Sequence, residues 1–336
     1  MNTRNENLLV TGGTGFLGQK LVKRLKNLGY NVTALGRNEV AGKKLETLGI
    51  TFIKADLKDT GSIKELCMNQ DYVFHCGALS SPWGRYKDFY NANVLGTQNI
   101  ISGCREHNVK RLIYVSTTSI YNDFTDKFNL SENEPLPSKF ANTYAETKYM
   151  AEQELDKAYL QGVPVITIRP SGIFGPNDTS ILPRLIRANN SKFIPVVGNK
   201  KVYVDITYVE NVIDALLLCK DSPDHTLGKK YNITNDSPIS LYEFLEDVIV
   251  RLGYKFKPKK ISFNTAYQLA SIMEFVSRTV LFYKEPPLTR YSVGVLTKSR
   301  TLDICAAKND LGYYPKITVE EGVIELLKWW KEANAG

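Results

Sequence analysis

The sequence has little of what metal centres and disulfide frameworks require. It holds five cysteines and three histidines among its 336 residues, and no two cysteines have the Cys-x-x-Cys spacing. An odd number of widely spaced cysteines indicates reduced thiols, as in cytoplasmic proteins. We therefore expect neither a bound metal nor disulfide bonds.

Long apolar runs and blocks of basic residues are missing as well. No run of about 18 apolar residues occurs, so the sequence predicts no membrane-spanning helix. The polar segment up to Asn7 lacks the pattern of a signal peptide, which favours a cytoplasmic location. A net charge of +8 comes without basic tracts or nucleic-acid motifs, so we expect no nucleic acid as a partner. The charge fits a solvated lysine-rich surface, or attraction to an anionic cofactor, substrate or membrane surface.

Short β-branched or apolar runs alternate with amphipathic helical patterns through the first half of the chain. We predict strands at 8–10, 31–35, 51–53, 71–75, 112–115 and 165–168, and helices at 15–28, 40–48, 62–68, 86–107 and 144–160. This alternation predicts an α/β fold, a doubly wound parallel sheet with helices on both faces. After about Gly175 the alternation weakens, which predicts a smaller α/β region over 176–336. Segments near 201–235, among them the strand-like and then helical stretch 203–220, are expected to return to the main sheet.

A glycine-rich loop joins the first predicted strand to the first predicted helix. Gly12, Gly15 and Gly18 keep the spacing of a dinucleotide-binding fingerprint, and Phe16 and Leu17 complete the loop. Glycine is needed because the turn is tight and a Cβ would keep a pyrophosphate from the helix N-terminus, where free N–H groups favour anions. The loop predicts that residues 1–175 form a Rossmann-type domain that binds NAD or NADP.

The end of the second predicted strand bears on the choice between these cofactors. An enzyme that prefers NAD usually carries an Asp or Glu there, which binds the adenosine ribose. Residues 34–38 read Ala-Leu-Gly-Arg-Asn and contain no acid. Arg37 can pair with a ribose 2′-phosphate, so the sequence predicts a preference for NADP. The alternative is that Arg37 stacks on adenine and NAD binds equally well.

Tyr144 and Lys148 form a Tyr-x-x-x-Lys pair at the start of a predicted helix, where residues four apart share a face. A phenol has a pKa of about 10, too high for a base at neutral pH, and a neighbouring ammonium lowers it. Such a tyrosine can exchange a proton with a hydroxyl or carbonyl while a hydride moves to or from nicotinamide. The segment 114–121 follows a strand and is rich in hydroxyl side chains, one of which can polarise the substrate oxygen.

Together these motifs resemble the extended short-chain dehydrogenase/reductase superfamily, in order and in spacing. The matching segments are 11–18, 114–121, 144–148 and 168–176, with further matches at 93–97 and 208–212. The resemblance covers nearly the whole chain. Asn122 departs from it, because many members carry glycine at that position.

The resemblance implies roles for individual residues. Tyr144 would act as acid and base, Lys148 would hold the ribose and tune Tyr144, and Thr117 would donate a hydrogen bond. Thr118 and Ser119 are alternatives to Thr117, and Asn93 would position a helix. Cofactor contacts are also implied for residues at the ends of later strands: Asp56, Leu57, Gly77, Ala78, Pro170 and Ile173. Relatives are commonly dimers, so a homodimer is expected.

Members of this superfamily include dehydrogenases, reductases, epimerases and dehydratases, so the fold leaves the reaction open. Thr118 and Ser119 stand where the sugar-nucleotide dehydratases carry an Asp-Glu pair, which argues against dehydration.

The C-terminal segments 285–290, 302–304, 306–315 and 320–322 are similar to one branch of the superfamily. That branch contains 3β-hydroxysteroid dehydrogenases, sterol 4-carboxylate 3-dehydrogenases and 2-alkyl-3-ketoalkanoate reductases. The similarity implies interconversion of a secondary alcohol and a ketone on a hydrophobic, steroid-like or β-keto-acyl substrate. A nucleotide-sugar epimerase with tightly bound NAD and a non-catalytic dinucleotide sensor are the alternatives.

Residues 265–283 combine many apolar side chains with the charged residues Glu274 and Arg278. The segment is too polar to span a bilayer. One interpretation is a helix packed in the substrate region. The other is a lid or an interfacial helix that contacts the membrane surface and admits a hydrophobic substrate.

Overall fold

The computed structural model describes residues 5–178, 181–191, 194–198 and 201–333. Its strands are β1 (Asn7–Thr11), β2 (Asn31–Gly36), β3 (Thr51–Lys54), β4 (Tyr72–His75), β5 (Arg111–Val115), β6 (Lys127–Leu130), β7 (Val165–Pro170), β8 (Ile173–Phe174), β9 (Ile194–Val197), β10 (Tyr203–Val204), β11 (Thr207–Tyr208), β12 (Lys230–Ile233), β13 (Ile239–Ser240), β14 (Pro258–Ile261) and β15 (Arg300–Leu302). Its α-helices are α1 (Phe16–Asn27), α2 (Glu39–Glu46), α3 (Thr60–Glu65), α4 (Tyr86–Phe89), α5 (Gly96–Glu106), α6 (Thr143–Leu160), α7 (Ile181–Ser191), α8 (Val209–Asp221), α9 (Leu241–Arg251), α10 (Phe263–Thr279), α11 (Arg290–Thr297), α12 (Cys305–Leu311) and α13 (Val319–Ala333).

Seven strands form one sheet in the order β3-β2-β1-β4-β5-β7-β12, and every neighbouring pair is parallel. The chain moves outward from β1 to β3 and then crosses back to β4 on the other side of β1. This reversal opens a crevice at the carboxyl ends of β1 and β4, the usual place for a ligand in such sheets. The doubly wound α/β fold predicted from the sequence is confirmed.

The strands are apolar on both faces because helices cover both faces. In β1, Leu8 and Val10 pack in the same core as α1 and α8, whereas Leu9 packs with α3, α5 and α6. In β5, Ile113 joins the first core and Leu112 the second. Side chains alternate between the faces of a strand, so a run of consecutive apolar residues feeds both layers.

The seventh strand of the main sheet, β12, is far in sequence from its neighbour β7. β12 pairs with β7 although β8, α7, β9, β10, β11 and α8 lie between them in the chain. The segment 203–220 returns in part: α8 packs on the main sheet, but β10 does not enter it. β10 pairs with β13 on one side and β15 on the other, so both of its edges are used in a separate sheet of order β13-β10-β15-β6.

The sequence predicts a single helix over 86–107, whereas the structure interrupts it. A π-helical turn over Tyr90–Leu95 separates α4 from α5. A π turn widens the helix by one residue and is often found next to functional sites. Within the described ranges, no helix is long and apolar enough to cross a membrane.

Candidate active site

The glycine loop after β1 is built by contacts that tolerate no side chain. Gly12 has φ of +68°, and a Cβ on it would lie 2.7 Å from Gly77 Cα. A Cβ on Gly18 would lie 2.1 Å from the Gly12 carbonyl oxygen. The loop therefore lies directly against the loop after β4.

Gly15 keeps the start of α1 open. It caps the helix without any side-chain hydrogen bond, and the first turn of α1 carries no acidic residue. A Cβ on Gly15 would meet only the Gly12 carbonyl oxygen, at 3.2 Å. Phe16 and Leu17 are the first two residues of α1, so their free N–H groups and the helix dipole face the crevice. This arrangement can hold an anionic pyrophosphate.

The ends of β2 and β3 lie beside this loop. Arg37 is exposed, and its Nη1 is 3.9 Å from Asp56 Oδ2, which Lys58 Nζ also approaches at 3.7 Å. Leu57 lies against the position where Gly77 would carry a Cβ, at 2.8 Å. The structure therefore places Arg37, Asp56, Leu57, Gly77 and its neighbour Ala78 along one edge of the sheet.

Helix α6 presents Tyr144 and Lys148 on one face, one turn apart. Asn142 caps the N-terminus of the helix, because its side chain accepts a hydrogen bond from Ala145 N at 2.9 Å. Lys148 is 1% exposed, donates from Nζ to the Val115 carbonyl oxygen at 2.7 Å and lies 4.0 Å from the centre of the Tyr114 ring. Burial lowers the pKa of Lys148 to about 7.

The Tyr144 hydroxyl faces the hydroxyls of Thr117 and Ser80, which lower its pKa, but burial has the larger effect and raises it. The sequence argument predicts a lowered pKa through the Lys148 ammonium, and in this structure that is wrong. Lys148 directs its ammonium at the Val115 carbonyl, and loss of water around the phenol dominates.

Thr117 stands at the end of β5, where the strand turns into a short 3-10 helix over Thr118–Tyr121. Its Oγ1 accepts from Ser119 N at 3.1 Å and donates to Ser119 Oγ at 3.1 Å. Ser119 Oγ is in turn 2.9 Å from the hydroxyl of Tyr291, on α11. Thr117 and Ser119 thus belong to one group of hydroxyls around Tyr144, and Thr118 is buried in the turn between them.

Two members of this hydroxyl group were missed at the level of sequence. Ser80 lies three residues beyond Gly77 in the loop after β4, and its position at a carboxyl strand end is a signal that could have found it. Tyr291 comes from a helix far along the chain, and only the tertiary fold brings it to Ser119. Pro170 ends β7 beside β5, and Ile173 follows in β8, so both lie on the same edge of the sheet as Thr117.

A buried chain of polar groups supports the loop after β4. His75 lies between Thr11 Oγ1 at 2.6 Å and Thr97 Oγ1 at 3.0 Å, and burial lowers its pKa to about 3, so it is neutral. Asn93, in the π turn, accepts from Leu79 N at 2.7 Å and donates to Thr147 Oγ1 at 3.0 Å. Asn93 therefore ties the loop that carries Ser80 to the helix that carries Tyr144.

A buried ion pair lies one turn beyond Lys148. Glu152 is 0% exposed, and its two carboxylate oxygens accept from Arg169 Nε at 3.0 Å and Nη2 at 2.6 Å. The same carboxylate accepts a hydrogen bond from Ser116 Oγ, and Arg169 Nη1 donates to the Tyr121 hydroxyl at 2.7 Å. The pair locks α6 to β7 and to the segment that carries Thr117. Among the described residues, no three His, Cys, Asp or Glu side chains are grouped as a metal site.

Residues 8–234 match the NAD dependent epimerase/dehydratase family, and the chain belongs to this family. The 2-alkyl-3-oxoalkanoate reductase of Stenotrophomonas maltophilia is 35% identical over 324 residues, which are 95% of this chain and 98% of that protein. The sterol-4-alpha-carboxylate 3-dehydrogenase, decarboxylating, of Mus musculus is 33% identical over 94% of this chain and 88% of that protein.

A solved structure of MoeE5 in complex with UDP-glucose and NAD has a TM-score of 0.76 and 24% identity, over 97% of this chain and 99% of that one. At that identity the likeness shows the fold. The relatives match the branch predicted from the C-terminal segments, and they are named as reductases and dehydrogenases. The chain is therefore an enzyme, a short-chain dehydrogenase/reductase of the extended type.

Proposed function

We propose that this enzyme interconverts a secondary alcohol and a ketone on a hydrophobic substrate with NAD or NADP. The observation that supports the proposal most is the meeting of Tyr144 with Thr117, one helical turn from buried Lys148, at the edge of the sheet where the glycine loop lies. The relatives named as a reductase and a dehydrogenase support the same class of reaction.

The residues present fit a nicotinamide dinucleotide. Gly12 and Gly18 leave no room for side chains in the loop, and Gly15 leaves the N-terminus of α1 free for the pyrophosphate. Arg37 and Asp56 would contact the adenosine end, and Pro170 and Ile173 the nicotinamide end. When bound, the cofactor supplies a hydride to the carbonyl carbon or accepts one from the carbinol carbon.

The protein side of the reaction is the transfer of one proton. In reduction, the substrate oxygen gains negative charge, and Tyr144 donates its hydroxyl proton to it. The Thr117 hydroxyl, which donates to Ser119 Oγ in this structure, would rotate to donate its hydrogen bond to the same oxygen. Burial raises the pKa of Tyr144, which keeps the phenol protonated and ready to donate at neutral pH. Lys148, on the same face of α6, would hold the ribose of the cofactor beside Tyr144. In oxidation the same groups act in the opposite direction.

The test is Tyr144→Phe, which removes the proton donor and keeps the ring. We expect turnover to fall by about 10²- to 10⁴-fold, because that is the usual contribution of one general acid. Cofactor affinity, measured by calorimetry, should be unchanged. Tyr159→Phe on the exposed side of the same helix is the matched control and should keep full turnover. Undiminished oxidoreduction in Tyr144→Phe would contradict the proposed role.

The two alternative functions, a nucleotide-sugar epimerase and a dinucleotide sensor, predict other results when the purified protein is dialysed and when Tyr144→Phe is tested. A nucleotide-sugar epimerase that recycles its cofactor would retain NAD through dialysis, whereas a reductase exchanges it during turnover. A dinucleotide sensor would keep its cellular function in Tyr144→Phe. The proposal requires exchangeable cofactor and loss of function in that variant.

We propose in addition that the enzyme prefers NADP. Arg37 is 70% exposed at the end of β2, and Lys54 and Lys58 lie in and just after β3. Asp56 is the nearest acid, but two cations approach it within 4 Å, which limits its repulsion of a 2′-phosphate. An exposed cation that pairs with a phosphate favours the phosphorylated cofactor.

The preference is measured by titrating NADPH and NADH into wild type and Arg37→Gln. We expect the variant to bind NADPH about tenfold more weakly, because a charge-assisted hydrogen bond is lost. NADH affinity should stay the same. Arg105→Gln on the exposed side of α5 is the matched control. Tighter binding of NADH than of NADPH by the wild type would contradict the preference.

The helix α10 supports a contact with an anionic lipid surface. Its inward face buries Ala266, Ala270, Glu274 and Ser277, so the segment is in part a packed helix. Its other face and the turn after it leave eight apolar or aromatic residues exposed: Leu269, Ile272, Phe275, Val276, Val280, Leu281, Phe282 and Tyr283. Such a patch exceeds the scattered apolar residues of an ordinary surface.

The charges around this patch are complementary to anionic headgroups. Arg278 lies within the segment 265–283 and Lys284 directly follows it, and Arg85 lies 5.6 Å from the centre of the Tyr283 ring. Glu274, the acid of α10, is buried in an ion pair with Arg290. We therefore propose that this face rests on the membrane and that hydrophobic substrates reach the site from there.

Vesicle co-sedimentation tests the contact. We expect binding to vesicles with anionic lipid, weaker binding to zwitterionic vesicles, and loss of both in Phe275→Ser with Phe282→Ser. Leu160→Ser removes an exposed apolar residue elsewhere and should bind as the wild type does. Equal recovery of wild type with and without vesicles would contradict the proposal.

A further inference from the structure

A hydrogen bond joins the loop after β4 to helix α10, between two distant parts of the chain. Trp83 donates from Nε1 to Ser277 Oγ at 2.8 Å, across 194 positions. Ser277 is 0% exposed, and its hydroxyl donates in turn to the Lys284 carbonyl oxygen at 2.6 Å. The hydroxyl therefore has both a donor and an acceptor, which fixes its direction. Because Ser277 is shielded from water, the loss of either partner is costly.

The indole ring of Trp83 has further contacts with the same part of α10. The Arg278 guanidinium carbon lies over the ring, 5.0 Å from its centre, which is a cation–π contact. The Tyr283 ring centre is 6.4 Å away, with 32° between the two planes. Arg85, two residues after Trp83, lies 5.6 Å from the centre of the Tyr283 ring. The position of Trp83 is therefore determined by its N–H group and by its ring.

The turn that follows α10 has a backbone conformation that requires support. Phe282 and Tyr283 have φ of +49° and +65°, in the left-handed region that residues with a Cβ rarely adopt. Tyr283 N donates to the Ser277 carbonyl oxygen at 2.8 Å, and Ser277 Oγ binds the carbonyl of Lys284. Such conformations persist only where the surrounding contacts hold them, and they occur often at functional sites. Ser277 therefore connects this turn to Trp83.

At its other end the same loop is bound to the helix that carries Tyr144. The side-chain amide of Asn93 accepts from Leu79 N at 2.7 Å and donates to the Leu79 carbonyl oxygen at 3.3 Å. Asn93 Nδ2 also donates to Thr147 Oγ1 at 3.0 Å, and Thr147 Oγ1 donates to the Tyr144 carbonyl oxygen at 3.2 Å. Residues 79–83 therefore run between two attachment points, one on α6 and one on α10.

Ser80 lies between these two attachment points. Ser81 Oγ accepts from Trp83 N at 3.3 Å and donates to the Trp83 carbonyl oxygen at 2.9 Å, so residues 81–83 form a closed turn. Ser80 directly precedes this turn, and its hydrogen bond to Tyr144 lowers the pKa of the phenol. A hydrogen bond with this effect favours the phenolate. Because the loop is short, a shift of Trp83 displaces the Ser80 hydroxyl.

We propose that Trp83 is a positioning residue, which holds Ser80 in place through the hydrogen bond to Ser277. The Ser80 hydroxyl then stays against that of Tyr144. This inference rests on the proposed oxidoreductase function. In reduction Tyr144 gives up its proton to the substrate oxygen, and the Ser80 hydroxyl stabilises the phenolate oxygen that remains. Since this charge develops only during the reaction, the effect is on the chemical step and not on binding.

The first measurement is hydrogen exchange of the loop, which does not depend on activity. Trp83→Phe keeps an aromatic ring and removes the N–H donor, and Ser277→Ala removes the acceptor. We expect the amides of residues 77–89 to exchange about 2- to 12-fold faster in either variant, because one hydrogen bond is lost. Exchange in β1 and β5 should not change, which shows that the fold is intact. The double variant should exchange no faster than Trp83→Phe alone, because both changes remove the same bond.

The second measurement is turnover with NADPH and a hydrophobic ketone, either a long-chain methyl ketone or a 3-oxosteroid. We expect kcat to fall by about 2- to 12-fold in Trp83→Phe and in Ser277→Ala. The KM for the ketone and the Kd of NADPH should stay at the wild-type values. Ser80→Ala should lower kcat by at least as much. In the Ser80→Ala background, Trp83→Phe should have no further effect on kcat, whereas a merely structural tryptophan would lower kcat in both backgrounds.

Two matched controls remove the same chemical groups elsewhere. Ser102→Ala removes a hydroxyl that donates within α5 to the Gln98 carbonyl oxygen, and Trp329→Phe replaces an indole of α13. Both variants should match the wild type in the exchange of residues 77–89 and in kcat.

Each outcome decides between the positioning role and the proposed function. Unchanged exchange of residues 77–89 in both Trp83→Phe and Ser277→Ala would overturn the positioning role. An equal loss of kcat from Trp83→Phe with and without the Ser80 hydroxyl would overturn it as well, and would leave the oxidoreductase intact. If the wild type reduces no ketone, the proposed function fails, and the exchange measurement still decides whether the bond to Ser277 holds the loop.

Discussion

The edge of the main sheet and the C-terminal wall, formed by α10, α11 and β15, differ in how they treat polar and apolar groups. At the sheet edge, His75 is bonded on both sides and Arg169 is fully paired with Glu152. In the C-terminal wall, by contrast, Phe275 is 67% exposed and Phe282 is 83% exposed. Paired buried groups fix one geometry, whereas exposed apolar side chains remain free to pack on another surface. The candidate catalytic groups are therefore held by the sheet, and the wall carries the apolar face that we propose for the lipid contact.

The comparison predicts that breaking a pair at the sheet edge is costly, and the largest effect is expected for Glu152→Gln. The change leaves the guanidinium of Arg169 buried without its counter-ion, and such a loss costs about 3–5 kcal/mol of the free energy of unfolding. Urea unfolding measures it. Glu154→Gln, which breaks the exposed pair with Lys157, is the control and should cost about 0.5 kcal/mol or less. A cost below about 1 kcal/mol for Glu152→Gln would show that the sheet edge is not held by this pair.

The buried ammonium of Lys148 predicts a pH-dependent effect of nearly the same size. Its pKa is about 7 in the folded protein and about 10.4 when unfolded, so burial of the charge lowers the free energy of unfolding by its full amount below pH 7. As the pH rises from 7 towards 10.4, the folded form loses its proton before the unfolded form does, and this destabilisation disappears.

Lys148→Met removes the destabilising buried charge. It should therefore raise the free energy of unfolding by about 3 kcal/mol more at pH ~6 than at pH ~9.5. Unfolding curves of wild type and variant at both pH values measure the difference. Lys157→Met on the exposed side of α6 should show no such pH dependence. A difference independent of pH would mean that Lys148 keeps its ordinary pKa.

A smaller effect is expected for Gly18→Ala in the glycine loop. The new Cβ would lie 2.1 Å from the Gly12 carbonyl oxygen, so the loop must move. Overpacking of this kind costs about 1–3 kcal/mol, so we expect cofactor affinity to fall by about 5- to 150-fold. The loss should be the same whichever substrate is present. Gly61→Ala has open space around its Cβ and should bind the cofactor normally. Unchanged affinity in Gly18→Ala would separate the loop from cofactor binding.

The smallest effect is expected in the C-terminal wall. Tyr291→Phe removes the hydrogen bond to Ser119, worth about 0.5–1.5 kcal/mol, so KM for the substrate should rise by about 2- to 12-fold. Cofactor affinity should not change, because the contact of the Tyr291 hydroxyl is with Ser119 and not with the glycine loop. Tyr203→Phe, a partly exposed tyrosine, is the control. If cofactor affinity fell instead, the division between sheet and wall would be wrong.

The parts of the site that sequence reasoning could foresee are those set by local spacing. Gly12, Gly15 and Gly18 belong to one turn, and Tyr144 and Lys148 to one helical face, so their proximity follows from the geometry of a loop and a helix. The parallel pairing of the central strands follows from the alternation of strand and helix. These features need no knowledge of distant contacts.

The parts that could not be foreseen depend on residues far apart in the chain. Tyr291 reaches Ser119 across 172 positions, so no local spacing in the sequence predicts their contact. The prediction that the pKa of Tyr144 is lowered was wrong. The Tyr-x-x-x-Lys spacing shows that an ammonium is near, but it does not show that burial removes water from the phenol and raises its pKa. The NADP preference, the homodimer and the cytoplasmic location stay predictions.

The late arrival of β12 has a consequence for how the chain can be divided. β7 is covered on one side by β5 and on the other by β12, which follows it by about sixty residues of other structure. A chain cut after residue 175 would leave β7 as an open strand edge. Its six residues are all buried in the whole protein, and an open apolar edge invites pairing with another chain. The first 175 residues alone should therefore aggregate. In the whole protein β12 prevents this, because it covers the edge of β7.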